Sequence, residues 1–200
     1  MTIAQPSHGL AAIGGRPLHG LVGVCGGRGS GKTTKLQEIP LVYPDSDFLV
    51  RDNMGHWPAT ARDARRIYPA GNVSVLRHVS GKEAAREAIR RAPCVLVLDE
   101  ADVDIPANLP LTGALQEIVQ RGRQAKPFDP WRRRGPVALL AAVRDLKELR
   151  TDLRKQFNFW YLGRCVDEEM LAEFAKKFGK TTAARQSHLK WGEFIKLDRS

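Results

Sequence analysis

The sequence predicts an α/β fold, with a mostly parallel central sheet and helices on both faces. Three observations carry that expectation. Apolar runs of strand length recur, clearest in "CVLVLDE" (94–100) and "VALLAAV" (137–143). They lack the polar alternation of a half-exposed strand, so both their faces must be covered. Each strand-like run is followed by a stretch of helical period, the order of elements that builds parallel sheets. Third, "LVGVCGGRGSGKTTKLQ" (21–37) passes from an apolar run through four glycines in six residues into a helix start.

The elements follow in order. "LVGVC" (21–25) is a strand, and "KTTKLQEI" (32–39) opens a helix that Pro40 is expected to stop. "DFLVRD" (47–52) is a strand, and "ATARDARRIY" (59–68) a short helix before Pro69. "NVSVLRH" (72–78) alternates as a strand. Ser80 can cap the helix "GKEAAREAIRRA" (81–92). After the strand at 94–98 come a helix at 111–122 and a basic loop. The strand at 137–143, a helix at 145–156 and a strand at 157–163 follow. "DEEMLAEFAKKFG" (167–179) is a helix closed by Gly179, and "EFIKL" (193–197) a last edge strand. Residues 1–19, rich in Gly, Pro and His without periodicity, read as a loose arm; 20–200 form one domain.

Two hundred residues with 42% hydrophobic and 27% charged composition suit one soluble globular domain with a real core. The net charge of +10 favours a polyanionic partner, nucleic acid first and an anionic membrane surface second. Cys25, Cys94 and Cys165 are odd in number and show no zinc spacing, so they read as buried free thiols of a reducing compartment. No apolar run approaches membrane-span length, and no basic segment followed by an apolar one opens the chain. A cytosolic protein is expected, of a microbe or of a cell infected by a microbial virus.

Gly26, Gly31, Lys32 and Thr33 match G-x-x-x-x-G-K-[ST] between a strand and a helix, the setting the motif requires. Glycines reach backbone angles closed to other residues, so successive N–H groups can curl around phosphate oxygens. The helix N-terminus adds partial positive charge. Lys32 is expected on the β- and γ-phosphates of ATP, and the Thr33 hydroxyl on Mg²⁺. Gly27, Gly29, Ser30 and Thr34 complete the nucleotide-binding stretch. Arg28 has two open roles, a phosphate contact or a solvent-facing side chain.

"CVLVLDE" supplies the second part. Asp99, ending an apolar strand, can hold Mg²⁺ through its water shell, and Glu100 can orient or deprotonate the attacking water. The plainer alternative for two acids after a strand is a helix N-cap.

Here the order of parts resembles the FtsK/HerA superfamily of DNA-pumping ATPases, most of all its small viral genome-packaging members. The resemblance runs from about Leu21 to Cys165. It rests on "GGRGSGKTT", "CVLVLDEAD", a helix ending "QRGRQ", and "VALLAAVRDLKELRTDLRKQFNFWYLGR". In that superfamily a strand ends in a polar sensor, a helix carries a "-DLR-" segment and the next strand ends in Arg; Asp152, Leu153, Arg154 and Arg164 fit. The resemblance implies a RecA-like (ASCE) P-loop NTPase sheet, with the sensor strand between the loop strand and the Asp99 strand. It further implies a ring, usually a hexamer, with ATP at subunit interfaces and double-stranded DNA in the channel. A capsid or portal-like partner and a place in the host cytoplasm or the virion go with it. Where the family commonly has a sensor Gln this chain has Val143, followed by Arg144; either Arg144 senses the γ-phosphate or the register is shifted by one. Arg121, Arg123 and Arg154 share the candidacy for an arginine finger acting in a neighbour's site. For the helix-end pair, a solvated C-terminus complementing the helix dipole is the alternative.

"RGRQAKPFDPWRRRG" (121–135) sets six basic residues against Asp129 alone, which suits contact with a phosphate backbone or a neighbouring subunit. A solvated loop is the plainer reading, and Trp131 either stacks on a base or packs the loop down. A second basic set lies at 176–190, and "DNMGHW" (52–57) flanks either the nucleotide or an interface.

The function expected is an ATP-hydrolysing double-stranded DNA translocase that packages a viral genome. Three others compete. A small-molecule P-loop kinase with residues 121–135 as its Arg-rich lid is opposed by Glu100 and the "DLR" segment. A filamentous-phage assembly ATPase of the zonula-occludens-toxin type usually carries a transmembrane helix, which this sequence lacks. A nucleic-acid-binding module with a vestigial site is opposed by intact Lys32, Thr33, Asp99 and Glu100.

Overall fold

Seven strands form one sheet. The structure, a computed structural model, describes residues 18, 20–111, 113–122 and 137–198, with residues 121 and 122 by backbone alone. The arm at 1–17, Arg123 and the rest of the basic loop, Trp131 included, lie outside the described residues.

The strands are β1 (Leu21–Cys25), β2 (Phe48–Arg51), β3 (Val73–Leu76), β4 (Cys94–Leu98), β5 (Val137–Val143), β6 (Phe159–Gly163) and β7 (Phe194–Asp198). Their order across the sheet is β3-β2-β4-β5-β1-β6-β7. All neighbours run parallel except β7, which pairs antiparallel with β6 at the edge. β5 lies between β1 and β4, as the resemblance implied. Cys25 therefore pairs with Val143, and Leu98 with Ala141, so the chain leaves all three strands at one sheet end. Ligands of open parallel sheets sit outside that carboxyl end.

The central strands are apolar throughout because both faces are covered. Along β4, Val95 and Val97 join one core with Leu36 and Ile39; Cys94, Leu96 and Leu98 join the other with Ala84, Ala88 and Ile118. β5 divides likewise, Ala138, Leu140 and Ala142 against Leu139, Ala141 and Val143. The helices supplying those residues are α1 (Lys32–Val42), α3 (Gly81–Arg91) and α5 (Gly113–Gly122). The others are α2 (Ala61–Ile67), α4 (Ala101–Asp104), α6 (Thr151–Arg154), α7 (Glu168–Phe178) and α8 (Lys180–Ser187). Ser80 caps α3 through a reciprocal box with Glu83, and Gly179 ends α7. The three cysteines are buried and free, and burial pushes the Cys94 thiol up to about 12.

Two expectations fail for tertiary reasons. Pro40 does not stop α1, which runs to Val42 with Pro40 inside its last turn. The Asn72 side chain, itself buried, donates to the carbonyls of Pro40, Tyr43 and Ser46, holding that end in place. Residues 145–156 are not one helix. A 3₁₀ turn at Leu146–Glu148, capped by Asp145, is followed by extended backbone at Leu149 and then α6. Leu149 bridges to Pro106, and that long-range pairing breaks a helical pattern whose leucines 146, 149 and 153 are all buried anyway. α8, within the basic set at 176–190, was not anticipated.

Candidate active site

The loop after β1 is shaped by backbone. Gly31, at the start of α1, has φ +88°, and a Cβ on Gly26 would lie 2.6 Å from the Ser30 hydroxyl and 3.2 Å from the Gly163 backbone. The Gly27 N–H donates to the Arg164 carbonyl at 3.0 Å, which ties the loop to the end of β6. Inside the loop the Lys32 ammonium donates to the carbonyls of Gly26 and Gly27, at 2.9 and 3.0 Å. Burial lowers the Lys32 pKa, with Asp99 among the nearby groups opposing that shift. The Ser30 hydroxyl is buried without a hydrogen-bond partner. A cradle floored by glycine, holding an ammonium satisfied only by its own loop and an orphaned hydroxyl, fits a triphosphate.

Thr33 and Asp99, 66 residues apart, meet: the Thr33 hydroxyl donates to Asp99 Oδ1 at 3.0 Å. The other Asp99 oxygen takes the Trp57 indole N–H at 3.3 Å, and His56 Nδ1 stands 3.8 Å from it. Burial pushes the Asp99 carboxyl up to about 6, against the hydrogen bonds from Thr33 and Trp57. Two adjoining hard oxygen donors of this kind suit Mg²⁺.

His56 and Trp57 belong to the "DNMGHW" turn. Its anchor is Asp52, whose buried carboxylate accepts the backbone N–H groups of Met54, Gly55, His56 and Trp57. Arg77 closes the arrangement with bonds to Asp52 and to the Trp57 carbonyl, the latter at 2.7 Å. The turn thus flanks the Thr33–Asp99 pair.

Glu100 occupies the N-cap position of α4 but makes no capping bond there. Its carboxylate instead stands 3.8 Å from Arg51. Arg51 is buried at the end of β2, 3.3 Å from Asp104, whose other tie is the Gly81 N–H. Glu100 thus stands where the helix-cap reading puts it, with its side chain turned to Arg51 and not to the helix N–H groups.

The arginines are spread more widely. Arg28 is exposed on the loop, and Thr34 is exposed on α1. Arg28, Arg144 and Arg164 border a cavity of about 640 Å³ beside the loop. Arg144 follows Val143 out of β5 and is paired to Glu148 at 2.7 Å. Arg154 donates to the Thr151 hydroxyl on α6 and is not among the residues bordering that cavity. Arg121 lies in the last turn of α5. Sequence reasoning missed Arg51 and the anchoring role of Asp52. A lone Arg ending an otherwise apolar strand, "DFLVRD", was the available signal for the first.

No family model and no curated protein sequence matches the chain. Solved structures do. The genome-packaging NTPase B204 of Sulfolobus turreted icosahedral virus 2, in complex with AMPPCP, superimposes with a TM-score of 0.66 at 15% identity, over 90% of this chain and 92% of that one. The DNA-packaging ATPase B204 of Sulfolobus turreted icosahedral virus gives 0.65 at 14% identity, over the same shares. ATPases 2 and 3 of EssC from Geobacillus thermodenitrificans give 0.56 at 14% identity, over 90% of this chain and 38% of that one. The zonular occludens toxin domain from Neisseria meningitidis reaches only 0.44. The seven-stranded, mostly parallel sheet of this chain, with its glycine loop after β1, is the fold of the P-loop ATPases it resembles.

Proposed function

We propose that the chain is an ATP-hydrolysing translocase of double-stranded DNA that packages a viral genome, working as a ring. The observation that carries the reading is the Thr33–Asp99 contact at the mouth of the glycine loop. It is supported by a fold shared with a viral packaging NTPase over nine tenths of both chains.

The chain's own residues have these roles. The N–H groups of residues 26–32 surround the phosphates, and Lys32 leaves its loop carbonyls to neutralise the β- and γ-oxygens. Thr33 and Asp99 hold Mg²⁺, which when bound neutralises charge on the phosphates. Glu100 orients water for attack and accepts its proton. Its partner Arg51, 3.8 Å away at the end of β2, orients that carboxylate. Arg121, Arg123 or Arg154 reaches a neighbour's γ-phosphate, which makes turnover depend on assembly. The basic residues of 121–135 meet DNA, and the +10 charge favours that partner.

The test is ATP hydrolysis with and without double-stranded DNA, beside particle mass by light scattering. DNA-stimulated turnover by a multimeric particle is expected. A monomer that phosphorylates a nucleoside or sugar and ignores DNA supports the kinase instead. For the finger, Arg123→Ala subunits are mixed with Lys32→Ala subunits. Restored turnover supports action in trans, and none with assembly intact counts against it.

A further inference from the structure

The phosphate end of the site is closed by side chains from β2 and β4, whereas its other end is open. Gly163 pairs with Phe194 where β6 ends and β7 begins. Three residues outside that pair, after β6 and before β7, stand Val166 and Trp191, 66% and 64% exposed, the two most exposed large hydrophobic side chains among the described residues. Both border the 640 Å³ cavity, together with Gly27, Gly29 and Met170.

Trp191 is not on a loose tail. It sits in a turn from Lys190 to Glu193, closed by the Glu193 N–H on the Lys190 carbonyl at 3.1 Å. The Lys190 N–H is taken by the Glu193 carboxylate at 2.8 Å, and Gly192 has φ +80°. The turn touches the phosphate loop itself: Gly192 Cα would lie 3.3 Å from a Cβ on Gly31, and the indole ring 3.9 Å. An indole fixed by a tight turn, exposed, and set against a phosphate cradle has its flat face available to a ligand that continues from the phosphates.

We propose that Trp191 stacks on the nucleobase of the bound triphosphate, with Val166 after β6 and Met170 in the first turn of α7 as the facing apolar surface; this rests on the phosphate-loop reading above. Recognition is through the face of the base, so Trp191 sets affinity for the nucleoside part and leaves the triphosphate part alone. The turn that carries it is the entry into an edge strand, which couples base occupancy to the β6–β7 margin of the sheet.

The experiment compares Mg²⁺-ATP with Mg²⁺-tripolyphosphate, which has no base, by titration calorimetry. Trp191→Ala is expected to bind ATP about 10-fold more weakly, the scale of one aromatic–base stack, and tripolyphosphate unchanged. Trp191→Phe is expected to fall between. Wild-type ATP affinity in Trp191→Ala overturns the proposal, and so does an equal loss for both ligands, which makes Trp191 a support of the loop. Tryptophan emission gives an independent check. ATP, but not tripolyphosphate, should quench a component that Trp191→Phe lacks; no such component overturns the proposal. If neither ligand binds the wild type, the phosphate-loop reading itself falls, and that outcome is distinct from the others.

Discussion

The two halves of the sheet end in different ways beside the same loop. On the β4–β2–β3 side, charged and polar side chains hold one another or the backbone: Asp99 with Thr33 and Trp57, Asp52 with four backbone N–H groups, Arg51 with Asp104 and Glu100. On the β6–β7 side a cavity is bordered by exposed Trp191 and Val166. The first half is organised before any ligand arrives, because groups that handle charge must be aimed in advance. The second half is left open, and under the stacking proposal a flat ligand face would need only such a surface. The difference is between side chains held by one another on one side and side chains left exposed on the other.

The sharpest way to break the comparison is Glu100→Gln. Turnover should fall about 10²–10⁴-fold with ATP affinity retained. Normal turnover, measured by phosphate release, removes Glu100 from the chemistry.

Arg51→Ala tests whether the closed half is structural as well. Asp104 would be left buried without its guanidinium, so unfolding free energy in urea should drop by about 3–5 kcal/mol. A loss under about 1 kcal/mol, that of an exposed pair, would mean the network is dispensable.

Asp99 should have opposite effects on activity and stability. Its folded pKa, about 6, lies above the usual carboxylate value of 3.8. The folded state therefore holds the proton more tightly. Its stabilising contribution is full below about pH 4 and is lost as pH rises through about 6. Near pH 7.5 and without Mg²⁺, Asp99→Asn should be inactive yet more stable, by on the order of 1–3 kcal/mol. Thermal melts check this; a less stable variant would contradict the burial argument. In the wild type, Mg²⁺-dependent ATP binding should weaken as pH falls below about 6.

The smallest expected effect is Trp57→Phe, which keeps an aromatic ring and removes the indole N–H from Asp99. The cost should be about 1 kcal/mol, and the Asp99 pKa should rise further. An unchanged Asp99 titration, followed by carboxylate NMR, would show the 3.3 Å bond to be inconsequential.

Much of the fold was readable from the chain because strands buried on both faces carry their signal locally. β4 and β5 appear as unbroken apolar runs, and Ser80 with Glu83 marks the start of α3 within four residues. The failures have a common cause. At Pro40 and at Leu149 the local pattern is genuine but loses to a distant partner, Asn72 in one case and Pro106 in the other. The site divides in the same manner. Residues 26–34 are contiguous, glycines with Lys32 and Thr33 at fixed intervals, so their spacing can be read from the chain. Arg51 and Trp191 have their contacts far away in sequence: a lone Arg ending an apolar strand hints at the first, and the position of Trp191 carries no such hint.

By itself, then, the sequence determined the glycine cradle, Lys32 and Thr33, the two acids after an apolar strand, and a parallel sheet to present them. Each depends on residues within a few positions of one another, where backbone freedom and hydrophobic period decide the conformation. Only the tertiary structure decided that Thr33 meets Asp99, that the "DNMGHW" turn closes on that pair, that Arg51 faces Glu100, and that Trp191 comes to rest against Gly31. Those contacts depend on strand order, and strand order is set by how the whole apolar surface is covered, which no short stretch of the chain contains.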